Sequence, residues 1–170
     1  MQVYGFMAGQ PQQYLAFGAD GIALSPDGTE LFFAPTGGNY LFSIATSLLR
    51  NQSGNSEVRA QAGVQSLTQK GASDGFETDT NGFIYMGNAN QEAVIFYNPA
   101  NSSVQTFVRD PRINWIDTLS VSTSGWLYFN TNQLMWAPQQ TWPGTDRRIH
   151  PYVLFRAKLP NNGTKMTALA

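Results

Sequence analysis

The 170-residue chain contains no cysteine and a single histidine, His150. Disulfide staples, thiolate metal centres, cysteine nucleophiles and any site needing two imidazoles are therefore excluded. Charged residues are scarce, at 12%, and the formal net charge is -1, so nothing in the chain attracts nucleic acid or an anionic membrane electrostatically. No apolar run approaches the ~20 residues of a membrane-spanning helix. The opening stretch MQVYGFMAGQPQQY lacks the basic start and apolar centre of a signal peptide. There is also no Gly-rich phosphate loop, no Gly-x-Ser-x-Gly elbow and no HExxH helix, so no catalytic residue is assigned.

What the chain does have is turns and aromatics: 16 Gly, 9 Pro and 13% Phe, Trp and Tyr. That profile belongs to many short strands, an all-β fold. A repeat organises it. Asp27-Gly28, Asn81-Gly82 and Ser124-Gly125 are each followed by a strand-like run, TELFFAP, FIYMGNA and WLYFNTN. Asp-Gly and Asn-Gly between alternating apolar segments are strong hairpin signals. Eight residues before each glycine stands an acid: Asp20, Asp74 and Asp117. Between acid and glycine, Ile22 and Leu24, Phe76 and Thr78, and Leu119 and Val121 share one phase, as half-buried strands require.

The glycines are spaced 54 residues apart from Gly28 to Gly82 and 43 from Gly82 to Gly125, close to the ~40–50 residues of one four-stranded propeller blade. The expected architecture is one domain over residues 1–170, a partial β-propeller with blade units at about 18–66, 67–111 and 112–160. Closed rings need about four to eight blades, so three units are read as half of a six-bladed ring. Residues 1–17 would then form the outer part of a preceding blade. The longer first interval holds an insertion at 43–61, with a short helix around Ile44, Leu48 and Leu49 followed by a solvated loop, NQSGNSE. Outer strands are expected at YLFSI, AVIFYNP, VQTFVRD, QLMWA and PYVLFRAKL. Residues 138–151, with three prolines and no alternation, are expected as a surface loop.

Rotation about a propeller axis carries equivalent residues to one end of one channel, so Asp20, Asp74 and Asp117 are the candidate channel-mouth ligand residues. Asn130 and Asn132, after the third inner hairpin, are candidates for the same opening. Two chemistries suit convergent carboxylates. Oxygen ligands favour a hard cation, Ca²⁺ or Mg²⁺, with Asp20 and Asp74 as the metal candidates. A small organic cation is the other, drawn by a carboxylate and an aromatic face. The competing structural role is a turn cap, which Asp before Gly often serves. His150, beside Arg147 and Arg148, reads as a surface or packing residue. Arg109, Asp110 and Arg112 form an exposed charged turn, and Trp115, Trp126, Tyr128, Phe129 and Trp136 read as packing residues, with a ligand platform as the alternative role. Three Asn-x-Ser/Thr triplets, at Asn51, Asn101 and Asn162, are candidate glycosylation sites, although an Asn- and Ser-rich chain also produces such triplets by chance.

The order GIALSPDGTELFF, YLFSIATSLLRN, GASDGFETDTNGFIYMGNANQEAVIFYNP, WIDTLSVSTSGWLYFNTNQLMWA and RRIHPYVLFRAKL resembles the second half of the major royal jelly protein and Yellow family, from about residue 17 to residue 159. The resemblance implies a secreted six-bladed propeller that binds small molecules, amines among them, in its central channel. The missing N-terminal half of the ring would be its partner. A second, local likeness, confined to the Asp20 and Asp74 motifs, is to gluconolactonase and regucalcin-like propellers that hold a divalent cation. Three functions follow as expectations: an extracellular small-ligand binding propeller, a metal-dependent lactonase-like hydrolase, and a secreted structural scaffold. Open blade faces and strand edges also predict self-association of the chain.

Overall fold

The computed structural model describes residues 18–141 and 143–167, and the backbone of residues 4–5 and 13–14. Its strands are β1 (Tyr4–Gly5), β2 (Gln13–Tyr14), β3 (Ala19–Leu24), β4 (Glu30–Pro35), β5 (Tyr40–Ala45), β6 (Gln65–Gln69), β7 (Phe76–Thr78), β8 (Ile84–Asn88), β9 (Ala93–Asn98), β10 (Ser103–Arg109), β11 (Ile116–Val121), β12 (Trp126–Thr131) and β13 (Leu154–Lys158). They build antiparallel sheets ordered β3-β4-β5-β6, β7-β8-β9-β10 and β11-β12-β13, with β1 and β2 paired separately. Strand order equals chain order in each sheet, so each is a meander, and β3, β7 and β11 lie side by side. The fold is a partial β-propeller of three blades. Apart from the β1–β2 pair, the expectation for residues 1–17 lies outside the described residues.

The interval from acid to glycine has one local cause in all three blades. Gly28, Gly82 and Gly125 adopt φ of 68°, 79° and 76°, a region closed to most side chains. Each donates its N–H to the carbonyl three residues back, on Ser25, Asp79 and Ser122, at 2.8, 2.9 and 3.2 Å. The side chains of the same three residues then accept the N–H that opens the returning strand, from Glu30 at 3.0 Å, Phe83 at 3.1 Å and Trp126 at 3.0 Å. One hairpin chemistry thus ends β3, β7 and β11 at the same height and fixes their register.

The core lies between the blades. Ala23, Phe32, Ala34 and Leu41 of the first pack against Phe76, Ile84, Met86, Ile95 and Tyr97 of the second. Tyr85 and Val94 of the second meet Ile116, Leu119, Val121, Leu127 and Phe129 of the third. Phe76 and Thr78, and Leu119 and Val121, are buried on the phase expected from sequence. Their counterparts Ile22 and Leu24 are not: they are 58% and 37% exposed, and Gly21 and Ala23 are the buried pair of β3. The phase is the same in all three copies. What differs is that no described blade stands in front of the first one.

Three further expectations are corrected. Residues 43–45 are not inserted, because Ile44 is buried within β5, and the helix α1 begins after it (Thr46–Arg50). The segment NQSGNSE is not wholly loop, since Ser56 opens a second helix, α2 (Ser56–Ala62), with Glu57 in its favourable first turn. QLMWA is not a strand. Gln133 takes φ of 53° and the Asn132 side chain accepts the Leu134 N–H at 2.9 Å, turning the chain into a 3-10 helix at Leu134–Trp136. Among the described residues of 138–151 there is no strand, as expected of a surface loop. No helix among the described residues is long and apolar enough to cross a membrane.

Candidate functional site

The shared hairpin register brings the other ends of β3, β7 and β11, with Asp20, Asp74 and Asp117, to one end of the blades. Asp20 and Asp117 are exposed, and Asp74, between them, is only 6% exposed. Burial first, and then the negative charges of Asp20 and Asp117, push the Asp74 carboxyl above the usual carboxylate range; hydrogen bonds from Trp115 and Thr36 pull the other way. A recess of about 470 Å³ opens here, lined by Gly18, Ala19, Asp20, Thr36, Asp74 and Leu134. Asp117 stands on the far side of Asp74, outside that lining.

Neighbouring elements hold the acids in place. The Thr36 hydroxyl, just past β4, donates to Asp20 Oδ2 at 3.3 Å. The Trp115 indole N–H, just before β11, donates to Asp74 Oδ2. Trp115 is buried and its backbone is in the left-handed region at φ of 56°, which aims a third-blade ring at a second-blade acid. Lys70 is buried as well. Its ammonium donates to the Gly71 carbonyl at 2.8 Å and to the Ser73 hydroxyl, and lies 5.6 Å from the centre of the Phe76 ring. Burial pushes Lys70 down to about 8, against the pull of Asp74.

Asn130 and Asn132 sit elsewhere. With Thr131, Leu134, Ala137, Arg148 and Tyr152 they line a second recess of about 400 Å³ that shares only Leu134 with the first. Each side chain already serves the backbone: Asn130 Oδ1 accepts the Thr118 N–H at 3.0 Å and Asn132 Oδ1 that of Leu134. Among the described residues, no group of three or more His, Cys, Asp or Glu side chains is placed to hold a metal ion. His150 is exposed against Tyr152, and Asp110 pairs with Arg112 on the surface. Lys70 was not singled out by sequence as a site residue, and Trp115 was read there first as packing and only second as a ligand platform. Lys70 carried one signal, being the only charged residue between Arg59 and Asp74.

Meander sheets with their inner strands side by side, and an open recess holding Asp20 and Asp74 at one end of those strands, define the chain as a propeller segment. The profile described as "Major royal jelly protein" matches residues 5–144, and the chain belongs to that family. No curated protein matches it by sequence. Among solved structures it is similar to a gluconolactonase from Xanthomonas campestris, at 16% identity and a TM-score of 0.59 over 94% of this chain and 50% of that one. A luciferin-regenerating enzyme is 14% identical with a TM-score of 0.60, over 99% of this chain and 54% of the other. Regucalcin from Agrobacterium tumefaciens, a calcium-binding protein, is 18% identical with a TM-score of 0.51, over 78% and 45%. These likenesses show the fold, and the chain spans about half the length of the structures it matches.

Proposed function

We propose that this chain supplies part of the channel of an extracellular propeller that binds a small organic cation, an amine, without chemical turnover. The observation that carries the reading is the Asp74 carboxyl, buried between Asp20 and Asp117 and oriented by Trp115. A buried acid flanked by two more is costly to ionise, and a cation entering the recess offsets that cost. The buried Trp115 indole, which lies outside the lining of the recess, holds that carboxyl in place. The first half of the ring, on another stretch of polypeptide, would close the channel. Asn51, just after α1, Asn101, in a turn, and Asn162, at the end of a 3-10 helix, are all exposed, positions that suit glycans on a secreted protein.

Phenethylamine titrated calorimetrically into the chain tests this. Heat that D20N and D74N each reduce is the expected result, and equal binding by wild type and D74N would overturn it. A second reading, a lactonase-like hydrolase holding Ca²⁺ or Mg²⁺ on Asp20 and Asp74, draws on the likeness in fold to a gluconolactonase and a calcium-binding regucalcin. Calcium titration separates the two: the metal reading requires heat that Asp74→Asn removes, and the amine reading requires none.

A further inference from the structure

A cleft of about 360 Å³ opens between the first and second blades, lined from the β4–β5 turn, the end of β6 and the link that follows it, the β8–β9 turn, and the outer strands β9 and β10. It shares no lining residue with the recess at Asp74. Its wall is made of side-chain amides, those of Asn39, Gln69, Asn88, Asn90, Gln91 and Gln105. Thr106 adds a hydroxyl, Ile95 and Val104 add an apolar patch, and no carboxylate is among the lining residues. Lys70 lines the cleft too, but its ammonium donates to the carbonyls of Gly38 and Gly71, at 3.4 and 2.8 Å, and to the Ser73 hydroxyl. A ligand in the cleft therefore meets no free charge.

These amides are held in place by the protein. Asn88 is buried; its Nδ2 donates to the Lys70 carbonyl at 2.8 Å and its Oδ1 accepts the Gln91 N–H at 3.1 Å. Asn90 Oδ1 accepts the Ala72 N–H at 3.0 Å, Gln69 Nε2 donates to the Tyr40 hydroxyl at 2.9 Å, and Gln105 Nε2 donates to the Ser103 hydroxyl at 3.2 Å. In each of these three, one end of the amide is fixed and the other takes no bond among the described residues. That leaves a donor on Asn90 and acceptors on Gln69 and Gln105. Gly71, at φ of 85°, permits the close approach: a Cβ there would stand 3.0 Å from Asn88 Nδ2 and 3.1 Å from Asn90 Oδ1.

The joint between the second and third blades follows the same plan with different chemistry. Pairing of Tyr40 with Gln69 and of Ala93 with Arg109 aligns Asn39 with Glu92, Gln69 with Arg109 and Lys70 with Asp110. The Lys70 N–H accordingly bonds to the Asn39 carbonyl at 2.7 Å, and the Asp110 N–H to that of Glu92 at 3.3 Å. Charged residues thus stand where the first joint has amides. The link there, 110–116, is also longer than 70–73 and brings Ile113 and Trp115 into burial, while the shorter link carries Gly71 and Ala72. We propose that the cleft between the first and second blades binds a neutral saccharide. A sugar hydroxyl both donates and accepts, which matches fixed amides offering both, and the C–H face of a sugar ring suits Ile95 and Val104. The lack of free charge favours a neutral sugar over a sugar acid or an amine. This binding is independent of what the channel holds.

Saturation-transfer NMR on the chain with maltose, cellobiose and N,N′-diacetylchitobiose tests this. The expected result is transfer to at least one of these sugars, with affinity lowered at least about tenfold by Asn90→Asp, which keeps the acceptor for the Ala72 N–H but replaces the free donor with an oxygen. Gln105→Leu, at an exposed position of β10, is expected to weaken the same sugar at least about threefold, and it carries the test should N90D not fold. Circular dichroism reports whether each variant keeps the β fold. Transfer to none of the sugars would overturn the proposal, as would undiminished binding by the folded variants. Tighter binding of glucuronate than of glucose would overturn the neutral assignment, and displacement of the sugar by triglycine would give the cleft to a peptide instead.

Discussion

Asp74 and Asp79 stand at opposite ends of β7, both buried and both pushed above the usual carboxylate range by that burial, yet their surroundings are unlike. Asp79 is fully enclosed and satisfied by its own hairpin, accepting from the N–H groups of Asn81 and Phe83 at 3.0 and 3.1 Å and from the Tyr85 hydroxyl at 3.1 Å. Asp74 has donors only from other blades, and two of its neighbours carry its own charge. A carboxylate surrounded by local donors is part of the turn. One that gathers like charges and distant donors at an open recess is the one on which the proposed amine binding rests.

The largest effect that sharpens this contrast is Asp79→Ala, which leaves two N–H groups and a buried tyrosine hydroxyl without a partner and is expected to cost about 3 kcal/mol of unfolding free energy in urea titrations. If Asp74→Ala costs as much, the two acids are alike and the comparison fails. Gly75→Val comes next, at about 2 kcal/mol, because the new side chain drives into the Asp117 carbonyl. Asp74→Asn is expected to change stability at neutral pH by under about 1 kcal/mol while weakening phenethylamine binding at least about tenfold. The smallest effect is in pH dependence. Because Asp74 is raised in the folded state, its protonation favours folding below the ordinary carboxylate value of 3.8, and this contribution is lost as pH climbs through the raised value. Wild type should therefore lose stability relative to D74N over that climb, while its amine affinity rises. The Asp79 shift has the same sign and cancels from the difference.

The hairpins were legible because their cause is local. Ser25, Asp79 and Ser122 act on residues within five positions, so the Asp-strand-Gly register could be counted directly. The burial phase of β7 and β11 was legible for the same reason. That of β3 was not, since whether Ile22 is covered depends on a blade and not on alternation. Among site residues, the acids were found through the repeat. Trp115 was hidden because its bond to Asp74 spans 41 positions and depends on a left-handed backbone that no neighbouring glycine announces. QLMWA misled because its apolar content suits a strand, while the deciding contact is the side chain of Asn132.

The hydrogen bond from Trp115 to Asp74 also has an optical consequence. Indole emission responds to charge at its ring nitrogen, and here that nitrogen touches the one carboxyl whose charge a bound cation would change. With four tryptophans in the chain, a W115F variant subtracts the signal of interest from the rest. On the proposed reading the recess carries its own dye, and amine binding would be followed as a shift in fluorescence without labelling the ligand or the protein.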